Sequence, residues 1–159
     1  MPLELGVIVR EVVEALSAKA EAWRIDLGAE LSGPVPVLGD ADQLVVLLNN
    51  LVENALRYTP AGGVVDVGAA LREGRPVLFV RDTGPGIAPA ERERVFDRFY
   101  RGEQPVPSDR ALDGSGLGLS IVHAIAERHG ATAQLLDREG GTGLEARVVF
   151  PAFEAQPPA

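Results

Sequence analysis

Leu5, Val9, Val12, Val13, Leu16, Ala20 and Trp23 recur at helical spacings, and this apolar stripe predicts a helix over residues 4–23. The pattern then changes period. In "RIDLGAEL", Ile25, Leu27, Ala29 and Leu31 alternate with polar residues, as in a half-buried strand over 24–31. "SGP" is a turn and "VPVLGD" a short extended piece. A second helix, capped by Asp40 or Asp42, runs to about Tyr58 on a stripe of Leu44, Leu47, Leu48, Leu51 and Ala55, and "TPAGG" ends it. Strands are expected near 63–71 and 76–82, a glycine loop at 83–88, and a short charged helix at 89–100. Residues 102–115 lack periodicity and are rich in Gly, Pro, Ser and Asp, which predicts a mobile loop. A third long helix spans about 116–129 and stops at Gly130. Two last strands lie near 132–138 and 144–150, before a frayed tail. Consecutive strands at both ends argue against a doubly wound parallel sheet. A mixed sheet with its helices on one face fits the order better.

Composition narrows the class. The 159 residues are 46% hydrophobic and 24% charged, as in one ordinary globular domain. A chain of that length buries about 68–70% of its unfolded surface. With no cysteine there is neither disulfide nor thiolate metal site, and the two histidines do not form a metal pair. No apolar run approaches the roughly 20 residues of a membrane span, so this stretch is expected to be soluble even if a longer parent is membrane-bound. A net charge of −8 disfavours nucleic acid and anionic membrane surfaces, which call for a basic face. A nucleotide stays possible if its site carries local arginines or a metal ion.

Four stretches carry candidate chemistry. In "NNLVENALRY", Asn50 and Asn54 share a helix face that Arg57 and Tyr58 extend. That face reads equally as solvated surface. Asparagine is a mediocre helix former, however, and its amide oxygen suits a hard cation that keeps water and phosphate ligands. In "VRDTGPGIA", Asp82 ends a strand before Gly84 and Gly86. It is either a turn former or a carboxylate that accepts from a ligand NH where glycines let a flat ring approach. "RVFDRFYRG" interleaves Phe96, Phe99 and Tyr100 with Arg98 and Arg101, which alone reads as a small amphipathic helix. "DGSGLGLSIV" crowds Gly114, Gly116 and Gly118 against a helix start. Such a place offers backbone NH groups and the helix dipole to an anion. No lysine follows as in a P-loop, and no parallel βαβ unit surrounds it as in a dinucleotide fingerprint.

Taken in order, the four stretches closely resemble the N, first glycine, F and second glycine boxes of the catalytic and ATP-binding domain of bacterial sensor histidine kinases, most tightly over residues 40–130. The resemblance implies a two-layer α/β sandwich of the Bergerat type. It would have a mixed sheet of about five strands, three main helices on one face and a flexible ATP lid at about 102–115. It implies that residues 1–151 are this domain and 152–159 a C-terminal tail, with the sensor, membrane and dimerisation segments outside this chain. The ligands implied are ATP and Mg²⁺. By position, Asp82 resembles the acceptor of the adenine amino group, flanked by Gly84, Gly86 and Ile87. Asn54 resembles the Mg²⁺ ligand through its amide oxygen, with Asn50 supporting metal or phosphates. Arg57 and Tyr58 match a phosphate-contacting base and an aromatic near the nucleotide. Arg101 matches the lid arginine that reaches the γ-phosphate. Gly114, Ser115, Gly116, Leu117 and Gly118 match the lid hinge and phosphate loop. Asn50, Asn54 and Arg101 are thus the implied catalytic residues.

The implied activity is transfer of the ATP γ-phosphoryl group to a histidine on a separate dimerisation hairpin, for relay to a response-regulator aspartate. Neither His123, followed by alanine, nor His129, before Gly130, sits in the family's phosphoacceptor context. The implied partners are therefore that hairpin and a response regulator, with no nucleic acid. The fragment is expected to be monomeric and cytoplasmic, its parent a homodimer anchored in the bacterial inner membrane. Gyrase-type topoisomerases, mismatch-repair ATPases and heat-shock chaperones share the fold. They carry a glutamate base four residues before the metal asparagine, where this chain has Asn50. A serine kinase that regulates a sigma factor would share the fold too, but such kinases usually lack an F box like "FDRFYR". The intact boxes argue against a non-catalytic nucleotide-binding module.

Overall fold

The computed structural model describes residues 2–84, 118–138 and 143–153. The expected short helix at 89–100, the lid at 102–115, the first residues of the third helix and the end of the tail lie outside the described residues. So do Gly86, Ile87, Arg101, Gly114, Ser115, Gly116 and Leu117.

Within the described residues the order is β1 (Pro2–Glu4), α1 (Leu5–Ala22), β2 (Asp26–Leu31), β3 (Pro36–Leu38), α2 (Ala41–Tyr58), β4 (Val64–Arg72), β5 (Arg75–Asp82), α3 (Gly118–Arg128), β6 (Thr132–Asp137) and β7 (Leu144–Val149). Five strands form one mixed sheet in the order β2-β4-β5-β7-β6. The β2–β4 pair is parallel and the other three pairs are antiparallel. The expected mixed sheet with three helices on one face is what the chain forms. A small β1–β3 pair was not expected. The stretch read as simply extended, "VPVLGD", contains β3, while β1 precedes the predicted helix and takes only its first residue, Glu4. Three residues with one apolar side chain give no periodicity to read.

The helix boundaries have local causes. Glu4 caps α1, accepting from the Gly6 N–H at 3.0 Å, and its carboxylate also takes the Val35 N–H at 2.9 Å. The same side chain therefore ties the first helix to the segment that carries β3. At the other end Arg24 adopts a left-handed backbone (φ 59°), and the Ile25 N–H closes on the Ala20 carbonyl at 2.9 Å. For α2 the cap is Asp40 and not Asp42: its carboxylate accepts from the Gln43 N–H at 3.1 Å. Asp42 falls in the first turn, where a negative charge suits the helix dipole.

The core lies between the helices and one sheet face. Leu44, Leu47, Leu48, Leu51, Val52, Ala55 and Leu56 of α2 are buried, as are Val9, Val12 and Leu16 of α1 and Val122 and Ile125 of α3. They meet Val65, Val67 and Ala69 of β4, Leu78 and Val80 of β5, and Ala146 and Val148 of β7. Alternation along β5 carries Asp82 onto this same helical side. The opposite face is closed by long charged side chains. Phe79, 2% exposed, lies under the guanidinium groups of Arg81 and Arg72, at 4.2 and 5.3 Å from its ring centroid. Gly68 makes room for that ring: a Cβ there would overlap both Phe79 and the Glu30 carbonyl. Arg81 bonds Glu30 and Glu145, and Arg147 bonds Glu145 again. Burial works to raise the Glu145 pKa, but the bonds from Arg81 and Arg147 prevail and hold it below its ordinary value.

His129 joins the end of α3 to the start of α2. The Asp40 N–H donates to its Nε2 at 3.1 Å, while Nδ1 lies 2.9 Å from the Ile125 carbonyl. A Cβ on Gly39 would stand 2.7 Å from the imidazole, so glycine there lets the ring seat. His123 is exposed, beside Glu127 one turn on.

Candidate nucleotide-binding site

Two elements bring the candidate residues together. The flank of α2 beside its leucine stripe carries Asn50, Asn54, Arg57 and Tyr58, all half-buried. At 1.5 Å per residue, Asn50 and Tyr58 stand roughly 12 Å apart along the helix. Each end of that face meets a glycine. At the C-terminal end, a Cβ on Gly84 would lie 3.1 Å from the Tyr58 carbonyl and 3.1 Å from Asp82 Oδ1. At the other, a Cβ on Gly118 would lie 3.3 Å from Asn50 Oδ1. The start of α3 therefore faces the asparagine end. The strand end carrying Asp82 faces the Tyr58 end. Asn50 uses its Nδ2 to bond the Val46 carbonyl at 2.8 Å, which leaves Oδ1 as the group turned to Gly118.

Asp82 is 7% exposed and is one of three buried polar side chains among the described residues, with Thr59 and Glu145. Its Oδ1 accepts from the Gly84 N–H at 2.9 Å. Burial drives its pKa up from 3.8 to about 6, while the N–H groups of Gly84 and Leu144 and the charge of Arg138 pull the other way. A buried carboxylate whose partners are backbone N–H groups keeps capacity for a further donor, since two ionised oxygens offer about four acceptor sites. That is the donor–acceptor sense an exocyclic amino group requires.

Neighbours of Asp82 to which the sequence pattern assigned no role also shape this end. Thr83 Oγ1 accepts from the Val64 N–H at 3.0 Å, and the Thr83 N–H donates to the Val64 carbonyl at 3.2 Å. Gly63 packs on Thr83, where a Cβ would stand 2.7 Å from Oγ1 and overlap the Thr59 methyl. Gly143, with φ 123°, lies against the Asp82 peptide. In the sequence, Gly143 reads only as the lead-in to a strand. The contact joins residues far apart in the chain, and no local pattern signals it.

Among the described residues no group of three His, Asp or Glu side chains converges to hold a metal ion. A cation here would share its ligands between asparagine amide oxygens and phosphate oxygens, a donor set that suits Mg²⁺. The Asn50 Oδ1 facing the α3 start fits that sharing. No described helix is long and apolar enough to cross a membrane.

Known proteins resemble this chain in sequence and in fold. The profile of the family described as histidine kinase-, DNA gyrase B-, and HSP90-like ATPase matches residues 39–154. The sensor protein kinase PmrB of Pseudomonas aeruginosa is 40% identical over 164 residues, 99% of this chain and 33% of the relative. The chain spans about a third of the length of the curated relatives it matches first. Among solved structures, the mycobacterial sensor histidine kinase MprB superposes with a TM-score of 0.83 at 29% identity, over 95% of this chain and 97% of that one. Full-length ShkA in complex with AMPPNP gives a TM-score of 0.80 at 32% identity, over 100% of this chain and 32% of that one.

Proposed function

We propose, on the premise that this chain belongs to the histidine kinase-, DNA gyrase B-, and HSP90-like ATPase family, that it is the ATP-binding catalytic domain of a bacterial sensor histidine kinase. The observation that carries the reading is the buried Asp82 at one end of the α2 face and the α3 start against Asn50 at the other. An adenine amino group donating to Asp82 would leave the triphosphate running along α2, past Arg57 and Asn54, toward the helix dipole of α3. The complex of ShkA with AMPPNP, an ATP analogue, supports this ligand class.

In the proposed reaction, an imidazole nitrogen on a separate dimerisation hairpin attacks the γ-phosphorus. The bond from that phosphorus to the β,γ-bridging oxygen breaks, its electrons leave with ADP, and the imidazole sheds a proton. The chain's own residues do little covalent work; they orient the nucleotide and offset its charge. Asp82 fixes the base. Arg57 and Arg101 supply positive charge to an otherwise acidic domain. Asn54, supported by Asn50, would hold Mg²⁺, which neutralises phosphate charge when bound. Gly86 and Ile87 would flank the purine, and Gly114, Ser115, Gly116 and Leu117 would close over the phosphates ahead of Gly118.

The residue pattern favours transfer over hydrolysis. Where the related ATPases carry a water-activating glutamate, Asn50 offers an amide that cannot take a proton and is already bonded to the Val46 carbonyl. We further propose that residues 1–151 form the domain, with the lid at 102–115. The parent would be a membrane-anchored homodimer supplying the hairpin and passing the phosphoryl group to a response regulator. The test is incubation of the chain with a matching histidine hairpin, Mg²⁺ and γ-labelled ATP. Acid-labile phosphohistidine is the expected product. ATP binding without it, on a hairpin that a related kinase does phosphorylate, favours a non-catalytic module.

A further inference from the structure

His129 is half-buried just past the end of α3, and both nitrogens of its ring are engaged. The two bonds fix one tautomer. A carbonyl only accepts, so Nδ1, 2.9 Å from the Ile125 carbonyl, carries the ring proton. A backbone N–H only donates, so Nε2, 3.1 Å from the Asp40 nitrogen, is the bare acceptor. The first bond stays within α3, and the second crosses to the cap of α2. There the Asp40 carboxylate takes the Gln43 N–H at 3.1 Å and the Asp40 carbonyl takes the Leu44 N–H at 3.0 Å. In a capping box the third helical residue, here Gln43, would return to the cap's own N–H. In this chain that N–H donates to His129, so α3 completes the cap of α2.

The ring is closely seated. A Cβ on Gly39 would stand 2.7 Å from its Cδ2 and 2.9 Å from its Nε2. Phe150 meets it edge-on, with centroids 6.3 Å apart and planes at 87°. Behind the ring, the N–H groups of His129, Gly130 and Ala131 bond the carbonyls of Ala126, Glu127 and Ala126 at 3.0, 3.0 and 2.9 Å. A shift of the ring is therefore passed to α3. The two helices run antiparallel: Asp40 meets His129 at one end, and Asn50 faces Gly118 at the other. At 1.5 Å per residue the two spans are roughly 15 and 16.5 Å, so the two meeting points keep step. Between them Leu119, Val122, Ile125 and Ala126 share a core with Leu44, Leu47, Leu48 and Leu51. Such apolar contact is non-directional, whereas the bond from Asp40 to His129 has a fixed geometry.

We propose that His129 is a positioning residue for the nucleotide site. By completing the cap of α2 from the end of α3, it sets the register of the two helices, hence the place of Gly118 against Asn50 and the affinity for the phosphate portion of ATP. The inference rests on the reading of that site as nucleotide-binding.

Two substitutions at one position separate this role from that of an ordinary helix end. Glutamine carries its amide at about the reach of Nε2, and its Oε1 accepts from the Asp40 N–H. Asparagine is shorter: its Nδ2 donates to the Ile125 carbonyl, as Nδ1 does, without reaching Asp40. Calorimetric titration with Mg-ATP should show His129→Gln near the parental affinity. His129→Asn should be weakened on the order of tenfold, as for residues that bias a ligand they do not touch. Gly39→Ala, which crowds the ring and leaves His129 in place, should match His129→Asn. His123→Ala, exposed on α3, is the control and should bind like the parent. In nitrogen–proton spectra without nucleotide, the Gly118 amide and the Asn50 side-chain amide should move in His129→Asn and Gly39→Ala and stay in His129→Gln. Parental ATP affinity in both His129→Asn and Gly39→Ala would overturn the proposal, and so would equal weakening in His129→Asn and His129→Gln.

A measurement on the unaltered chain covers variants that do not fold. The imidazole nitrogen shifts of His129 should report the Nδ1–H tautomer, with a scalar coupling between Nε2 and the Asp40 nitrogen across their hydrogen bond. An Nε2–H tautomer would overturn the proposal. A parent chain that binds no Mg-ATP would instead sink the nucleotide reading, and the Gly118 and Asn50 signals would still report whether His129 sets the helix register.

Discussion

Asp82 keeps a negative charge where burial opposes it. Raising its pKa from 3.8 to about 6 costs about 3 kcal/mol at neutral pH relative to an exposed carboxylate, at 1.36 kcal/mol per pKa unit. The sign for stability follows. Between those two values the folded chain holds a proton that the unfolded chain has released, so this group adds stability as the pH falls from 7 toward 4. Glu145 acts oppositely: its lowered pKa contributes stability that is present above its ordinary 4.5 and lost as the pH falls through the lowered value. ATP binding has its own direction. Protonated Asp82 offers an acceptor poorer than the carboxylate, so ATP affinity should fall as the pH drops through about 6. Asp82→Asn should remove that dependence and weaken ATP by about 1.5–3 kcal/mol, the range for a hydrogen bond to a charged group. Calorimetry from pH 5 to 8 on both proteins reads this; equal affinity at pH 7.5 would mean that another group reads the base. Asp82 was legible in the sequence as an acid at a strand end before glycines. Its neighbours across the sheet were not, because Leu144 and Gly143 arrive from the far end of the chain.

At the scale of elements, α2 is amphipathic, with a buried side and a half-buried one. Its buried face is leucine-rich and its other face carries the asparagines, so the two can be altered separately. Asn54→Ala leaves no cavity beneath the leucine stripe and should move stability by no more than about 0.5 kcal/mol. Phosphotransfer to a supplied hairpin should nevertheless be lost, since the amide oxygen proposed to hold Mg²⁺ is gone. Melting curves alongside the transfer assay separate the outcomes: an unfolded variant would make Asn54 structural, and a folded, fully active one would put the metal elsewhere. The long helices and strands were legible because each repeats a period over many residues. Single residues decided the rest. Asp40 and Asp42 are both able to cap α2, and only the Asp40 carboxylate reaches the Gln43 N–H. His129 stands just past the end of α3. Its bond to the Asp40 N–H depends on Gly39, and nothing local to either segment announces that pairing.

For the whole molecule, the order of elements carried the fold class, because strands in succession at both ends exclude a doubly wound sheet. Strand order was less legible: the parallel β2–β4 pair and the β5–β7 pair each join segments separated by a helix, and periodicity does not encode which strands meet. A ligand that binds only the folded domain should stabilise all of it. Mg-ATP at about 100 times its Kd adds about 2.7 kcal/mol, a rise of about 5–11 °C in melting temperature for a domain of this size. Thermal melts with and without millimolar Mg-ATP check this, and an unmoved midpoint would count against the nucleotide site.

The register of Asp82 against Leu144 has a kinetic consequence as well. The β4–β5 and β6–β7 pairs join strands that are consecutive in the chain, but β5 pairs with β7 across α3 and β6. That closure carries a larger entropic cost than either hairpin and belongs late on the folding route. Its pair Asp82–Leu144 lies at the proposed nucleotide site. Nucleotide bound there would grip a contact absent from the folding transition state, and so should slow unfolding while leaving the refolding rate nearly unchanged. Stopped-flow chevrons with and without Mg-ATP would register this as a displacement of the unfolding arm alone.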